Sequence, residues 1–152
     1  MSIEIKRIDG TVAYESQSAT SLKEAAEEAV RQGVSLARAD FSLANFSGAD
    51  FSRANFYGAN FYGVDFSRAN FSGADFSRAN LSGADFYKAD FYGANFYKAD
   101  FYGANFYGAD FYGANFYGAD FYKADFYGAN FSGADFSGAE GILHVGPVDG
   151  WG

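Results

Sequence analysis

The chain has 152 residues, with 19 Phe and 12 Tyr against one Trp, one Met and one Pro, no Cys, and a formal charge of −8. The missing cysteine excludes disulfides, thiolate metal sites and cysteine nucleophiles and fits a reducing compartment, while a pI near 4.4 argues against non-specific attraction to nucleic acid or anionic lipid. No stretch approaches the roughly 18 apolar residues of a membrane span, and MSIEIKRIDG carries no signal-peptide run, so a soluble cytoplasmic protein is expected.

Residues 1–33 differ in kind from the rest of the chain and read as an N-terminal cap. IEIKRI and TVAYES flank Asp9-Gly10, a type I′ turn signal, which predicts a β-hairpin over residues 2–15. A helix is predicted over 21–32. Ser21 and Glu24 have capping-box spacing, Leu22, Ala25, Ala26, Ala29 and Val30 form one apolar stripe, and Gly33 supplies the stop.

From Leu36 to Phe136 every fifth residue is Phe or Leu, over 21 consecutive positions, with Ala or Val two residues earlier and Asp or Asn between them, except at Ser35. Each aromatic is followed by Ser or Tyr and then by Gly, Arg or Lys, apart from Ala37 and Leu43. In extended backbone the two apolar positions point to the same side, which must be the interior. A helix would spiral Phe around its whole surface, because five steps of 100° do not close on one face. A flat sheet would break its alternation at every repeat. The two outward residues after Phe therefore read as a corner. Arg53, Arg68, Arg78, Lys88, Lys98 and Lys123 share the second corner position with Gly, so a strict need for positive φ is not expected there.

Short extended segments joined by regular corners describe a solenoid. The A-(D/N)-F-x-x motif resembles the pentapeptide-repeat family, and the likeness covers residues 34–140, about 70% of the chain. It implies an all-β solenoid, a right-handed quadrilateral parallel β-helix with four repeats per coil. By that resemblance the chain would form about five coils, stacked at ~4.8 Å, and its first 33 residues are similar to the caps of some members. Their physical task would be to cover the apolar end of the tube and block edge-to-edge stacking. After Glu140 the register breaks at Gly141, and residues 141–152 read as a C-terminal cap in which Ile142, Leu143, Val145, Val148 and Trp151 close the tube and Pro147 stops further pairing.

No catalytic, metal or cofactor site is expected. His144 is the sole histidine, which precludes a His-based metal cluster or a Ser-His-Asp arrangement and leaves it a cap residue. The Asp and Asn positions form outward rows on a 20-residue coil. Asp100 with Asp120, or Asp65 with Asp85, could hold a cation weakly, but solvated positions carrying amide ladders explain the alternation better. The sequons beginning at Asn45, Asn70, Asn80 and Asn130 are by-products of the repeat, and no phosphate-binding loop is present.

The informative residues are tyrosines. Eleven follow a core aromatic: Tyr57, Tyr62, Tyr87, Tyr92, Tyr97, Tyr102, Tyr107, Tyr112, Tyr117, Tyr122 and Tyr127, the last nine in an unbroken run. On a 20-residue coil the run should stack Tyr87, Tyr107 and Tyr127, and likewise Tyr92 with Tyr112, Tyr97 with Tyr117, and Tyr102 with Tyr122, at ~4.8 Å row spacing. β-propensity and row packing account for part of this, but not for the sharp switch from Ser to Tyr in an otherwise unchanged repeat. Such templating points to an engineered or consensus scaffold displaying tyrosine ladders, suited to aromatic stacking or redox hopping with nearby carboxylates as proton acceptors. The alternative, implied by the resemblance, is an acidic imitation of duplex DNA that inhibits DNA gyrase. No other partner is evident, and no membrane or nucleic-acid binding. The caps favour a monomer, whereas the aromatic belt could drive weak self-association.

Overall fold

A computed structural model describes residues 1–141. The expected C-terminal cap lies, apart from Gly141, outside the described residues, as does His144.

The N-terminal segment forms β1 (Ile3–Lys6), β2 (Val12–Ser16) and α1 (Leu22–Arg31). β1 and β2 pair antiparallel, with Ile5 opposite Tyr14 and Lys6 opposite Val12, so one residue bulges between them. The turn is not type I′. Gly10 has φ 88°, whereas Asp9 is not among the residues with positive φ. Gly10 N–H donates to the Arg7 carbonyl at 2.9 Å and Arg7 N–H to the Thr11 carbonyl at 2.8 Å, as in a three-residue loop with a glycine bulge. Asp9 keeps its negative φ because its carboxylate is used locally: Oδ1 accepts from Thr11 N–H at 2.9 Å and from Thr11 Oγ1 at 2.7 Å.

Ser21 caps α1 by accepting from Glu24 N–H at 3.1 Å. The return half of the capping box is shifted by one residue, since the Glu24 carboxylate accepts from Thr20 N–H and Thr20 Oγ1, each at 2.7 Å. At the other end Gly33 N–H donates to the Val30 carbonyl and Val34 N–H to the Ala29 carbonyl. With Gly33 at φ 73°, these bonds form a Schellman motif.

Beyond the helix the backbone makes one parallel bridge per pentad, each joining a residue to the one 20 positions later, from Asp40–Asn60 through Asp120–Glu140. A single pentad shows why the chain closes this way. Ala84 N–H donates within the coil to Leu81 O, Asp85 N–H to Val64 O in the coil before, and Phe86 and Lys88 N–H to Asn105 O and Tyr107 O in the coil after. The fifth donor, Tyr87 N–H, is met by the Asp85 carboxylate at 3.0 Å. Every N–H of the repeat is thus satisfied, four by backbone and one by the Asp or Asn side chain. The Ala84-to-Leu81 bond closes a β-turn whose third residue has φ 69°, and the same holds at all corners from Arg38 to Gly138. Positive φ at the third residue alone is the type II pattern.

This corrects the sequence expectation. Arg53, Arg68, Arg78, Lys88, Lys98 and Lys123 adopt φ of 54° to 62°, the same left-handed region as the glycines they replace. The ladder dictates the corner, and the L residues bear its strain.

Phe41 through Phe131 are buried, as are Leu36, Leu81 and nearly all repeat alanines. Rings stack along the tube, as in Phe71, Phe91 and Phe111 at 4.9 and 4.8 Å with planes within 5°, and meet edge-on around it, as in Phe91–Phe96 at 5.2 Å and 63°. Both are favourable aromatic geometries. The hairpin and helix join this core through Ile5, Ala25, Ala26 and Ala29. They also serve first-coil donors that have no preceding coil: Asp40 N–H donates to Lys6 O at 2.8 Å, and Asp50 N–H to Glu27 Oε2 at 3.3 Å.

Candidate functional site

The tyrosine position is the second residue of each type II turn, so its side chain leaves the tube where the chain bends outward. Nine of the eleven repeat tyrosines are 41–56% exposed. Tyr87 and Tyr97 are half-buried. Along the tube, Tyr87–Tyr107 and Tyr107–Tyr127 have ring centroids 5.6 and 5.3 Å apart at 14° and 13°. Tyr92–Tyr112 stand at 5.4 Å and 7°, and Tyr97–Tyr117 at 5.5 Å and 9°. The register comes from the backbone: the Tyr carbonyl accepts from the corner N–H of the preceding coil, for example Lys88 N–H to Tyr107 O at 3.0 Å. Stacked phenols are therefore held by main-chain bonds and gain from ring contact in addition.

Tyr102 and Tyr122 share a row, yet among the described residues they make no ring contact. Gly141 presses on Tyr122, where an added Cβ would lie 2.7 Å from Cγ, and Lys123 Nζ sits 5.6 Å from the Tyr102 centroid. Tyr57 and Tyr62 are isolated because Ser77 and Ser82 follow them one coil later.

The corner cations gather on the ladder, an arrangement the sequence reading missed. The guanidinium of Arg68 lies 5.5 Å from the Tyr87 centroid, with Lys88 Nζ at 5.1 Å. Arg78 and Lys98 treat Tyr97 in the same way, at 5.7 and 5.2 Å. These are cation–π distances, and they explain why these two tyrosines are less exposed than the rest. The available signal was the pairing of Tyr with a basic residue either next to it or 19 positions earlier.

The acidic rows have structural work. Each repeat Asp or Asn accepts from the N–H two residues on, as Asn95 does from Tyr97 at 3.1 Å and Asp110 from Tyr112 at 2.9 Å. The expected amide ladder forms at several rungs: Asn105 Nδ2 donates to Asp85 at 3.0 Å, Asn115 to Asn95 at 3.1 Å and Asn130 to Asp110 at 3.0 Å, whereas Asn70 and Asn95 make no such bond to Asp50 and Asp75. Among the described residues no repeat tyrosine hydroxyl donates to a carboxylate. The carboxylates are turned toward the tyrosine backbone, so a phenolic proton would be lost to water. No group of three or more His, Cys, Asp or Glu among them is arranged to hold a metal, and no helix among them is long and apolar enough to cross a membrane.

A square tube of stacked pentads, closed by side-chain bonds to its own turns, defines a repeat solenoid of the β-helix class. The pattern of the pentapeptide-repeat family matches residues 32–68, 65–101 and 99–138. The chain belongs to this family, whose fold is the right-handed quadrilateral β-helix. It is similar to the pentapeptide repeat protein Rfr23 of the cyanobacterium Cyanothece 51142, at 27% identity and a TM-score of 0.54, over 66% of this chain and 79% of that one. HetL of Nostoc sp. Strain PCC 7120, involved in heterocyst differentiation regulation, aligns at 26% identity and a TM-score of 0.46, over 66% and 61% of the two chains. QnrB1, a plasmid-mediated fluoroquinolone resistance protein, aligns at 30% identity and a TM-score of 0.48, over 66% and 63%. No curated protein sequence matches the chain.

Proposed function

We propose that the chain is a non-catalytic scaffold, of engineered or consensus origin, whose role is to hold the eleven repeat tyrosines in ordered surface ladders. The observation that carries this reading is the near-parallel stacking of Tyr87, Tyr107 and Tyr127 at 5.6 and 5.3 Å. The parallel Tyr92–Tyr112 and Tyr97–Tyr117 pairs repeat that geometry on other rows. Residues 1–33 act as the cap that supplies the first coil with the acceptors a preceding coil would provide, and about five coils make up residues 34–140. The near-identity of successive pentads, as in FYGADFYGANFYGAD, supports templated origin.

Phenols at this spacing suit stepwise transfer of an oxidising equivalent along a row. A one-electron oxidant removes an electron from one ring and the phenolic proton leaves to water; the neighbouring phenol then gives its electron to the first ring and its own proton to water, while the first ring takes a proton back from water and returns to a phenol. Photochemical oxidation followed by electron paramagnetic resonance tests it. The wild-type chain should show radical migration or spin coupling, whereas a variant with Tyr14 changed to Phe and every repeat tyrosine except Tyr112 changed to Ser should give one isolated tyrosyl signal. Identical spectra from the two would remove the redox role.

Imitation of duplex DNA has less behind it. Duplex DNA carries one charge per about 1.7 Å, so a rod of about 24 Å would need roughly 14. Residues 34–140 carry 12 acids and 7 bases, a net of −5, and five of the bases sit on the tyrosine rings rather than leaving the acidic rows continuous.

A further inference from the structure

The ladder of Tyr112 and Tyr92 ends at Ser72, one coil nearer the N-terminus, and a cavity of about 350 Å³ opens there, lined by Arg53, Ser72, Gly73, Tyr92 and Gly93. We propose that this cavity is a binding slot for a small, uncharged, planar aromatic compound, which would stack on the free face of Tyr92 and extend the ladder by one ring. The proposal rests on the slot alone and stands whether or not the ladders carry charge.

Neighbouring rows provide the comparison. The Tyr87 row also meets Ser one coil earlier, at Ser67, and the Tyr97 row at Ser77, but there the chain fills the gap itself. Arg68 and Arg78, at the corners beside those serines, lay their guanidinium groups against the ring ends at 5.5 and 5.7 Å. In the Tyr92 row the equivalent corner is Gly73, and the cation in that column is Arg53, a full coil further away. The vacancy is therefore one coil deep, ~4.8 Å, the thickness allotted to one ring in this lattice. A ring at that level would meet Tyr92 as Tyr112 does, at 5.4 Å and 7°, and would meet Arg53 from the other side as Tyr87 meets Arg68. The walls leave room: a Cβ on Gly93 would touch nothing within 4 Å, and one on Gly73 only Arg53 Cγ, at 3.6 Å. Toward the N-terminus the row end at Tyr102 also meets Ser82 and Gly83, but the column below holds Gly63 rather than an arginine, so a ring there would have no guanidinium on its far side. Asp90, whose carboxylate holds Tyr92 N–H at 2.9 Å, and the net charge of −8 both select against an aromatic anion.

Titration of the full-length chain with 2-naphthol, followed by NMR, tests the slot. Saturable shifts confined to Tyr92, Ser72 and Gly73 are expected, with Kd on the order of 1 mM for a ligand of this size. Gly73→Arg recreates the Arg68 arrangement and should weaken binding at least tenfold. Its fold is safe, because Arg68 and Arg78 already occupy left-handed corners at φ 60° and 58°. Ser72→Tyr, which fills the slot with a protein ring, should do the same. Gly113→Arg adds the same charge in the same column beside Tyr112, two coils beyond Ser72 and away from the slot, and should bind as wild type. Shifts spread evenly over all tyrosine rows, wild-type affinity in both filling variants, or equal loss in Gly113→Arg would each overturn the proposal.

Discussion

Leu43→Gly separates the demand of the backbone from the preferences of the side chain. Leu43 sits at φ 62° in a type II corner, and its side chain is 74% exposed. A left-handed conformation costs an L residue about 1–2 kcal/mol, and glycine releases that strain. Against this, glycine gives the unfolded chain extra freedom worth about 0.4–1 kcal/mol, and a small contact of Leu43 Cδ2 with the next coil at Gly63 is lost. The balance is a stabilisation of about 0.5–1 kcal/mol, or roughly 1–4 °C in Tm for a chain of this size. Arg68→Gly is the comparison, since it releases the same strain but also removes the guanidinium from Tyr87, an interaction of about 0.5–1 kcal/mol. Its Tm should stay close to that of the wild type. Differential scanning calorimetry of the two variants reads both numbers. A fall in Tm for Leu43→Gly would refute left-handed strain at the corners, and an equal rise for both variants would refute a stabilising cation on Tyr87.

The core and the cap offer further checks. Phe96 stacks on Phe76 and Phe116, each at 5.1 Å, so Phe96→Ala should cost about 3–5 kcal/mol; in a solenoid it should also split unfolding into two transitions, visible by urea denaturation. Glu28 accepts from the hydroxyls of Ser16 and Tyr14, which hold its carboxyl below the usual glutamate range. Its contribution is therefore present above the unfolded glutamate pKa and lost as pH falls through the lowered folded value. Amide exchange in β2 and α1 should rise in that acid window, and Glu28→Gln should flatten the response. A DNA supercoiling assay should show no gyrase inhibition at low micromolar protein; inhibition there would replace the scaffold reading with DNA imitation.

Much of the tube was legible because its repeat is covalent information. A strict spacing of five leaves the alternating Ala and Phe one interior to share, and equal pentads can satisfy their backbone only against equal pentads, which sets the tyrosine rows. The hairpin and helix were legible from local chemistry, but their details were not. Asp9 could either support a type I′ turn or bind Thr11, and Glu24 could reach Ser21 or Thr20; the choice depends on fractions of an ångström in the folded chain. The slot beneath Tyr92 was invisible for a related reason, since Gly73 reads as an ordinary corner until Arg68 and Arg78 are seen filling the corresponding gaps.

The chain alone therefore determined which residues face inward, which face outward, and which stand one above another. Only the tertiary structure decided the conformation of the corners, where inter-coil hydrogen bonds force Arg and Lys into glycine's region of φ, and the partners of the outward side chains. Periodicity places side chains in rows, but what they touch depends on where flexible cations come to rest and on where the last coil ends. For that reason Tyr87 stacks on Tyr107 beneath two cations, while Tyr102 and Tyr122, equally aligned in one row, remain apart.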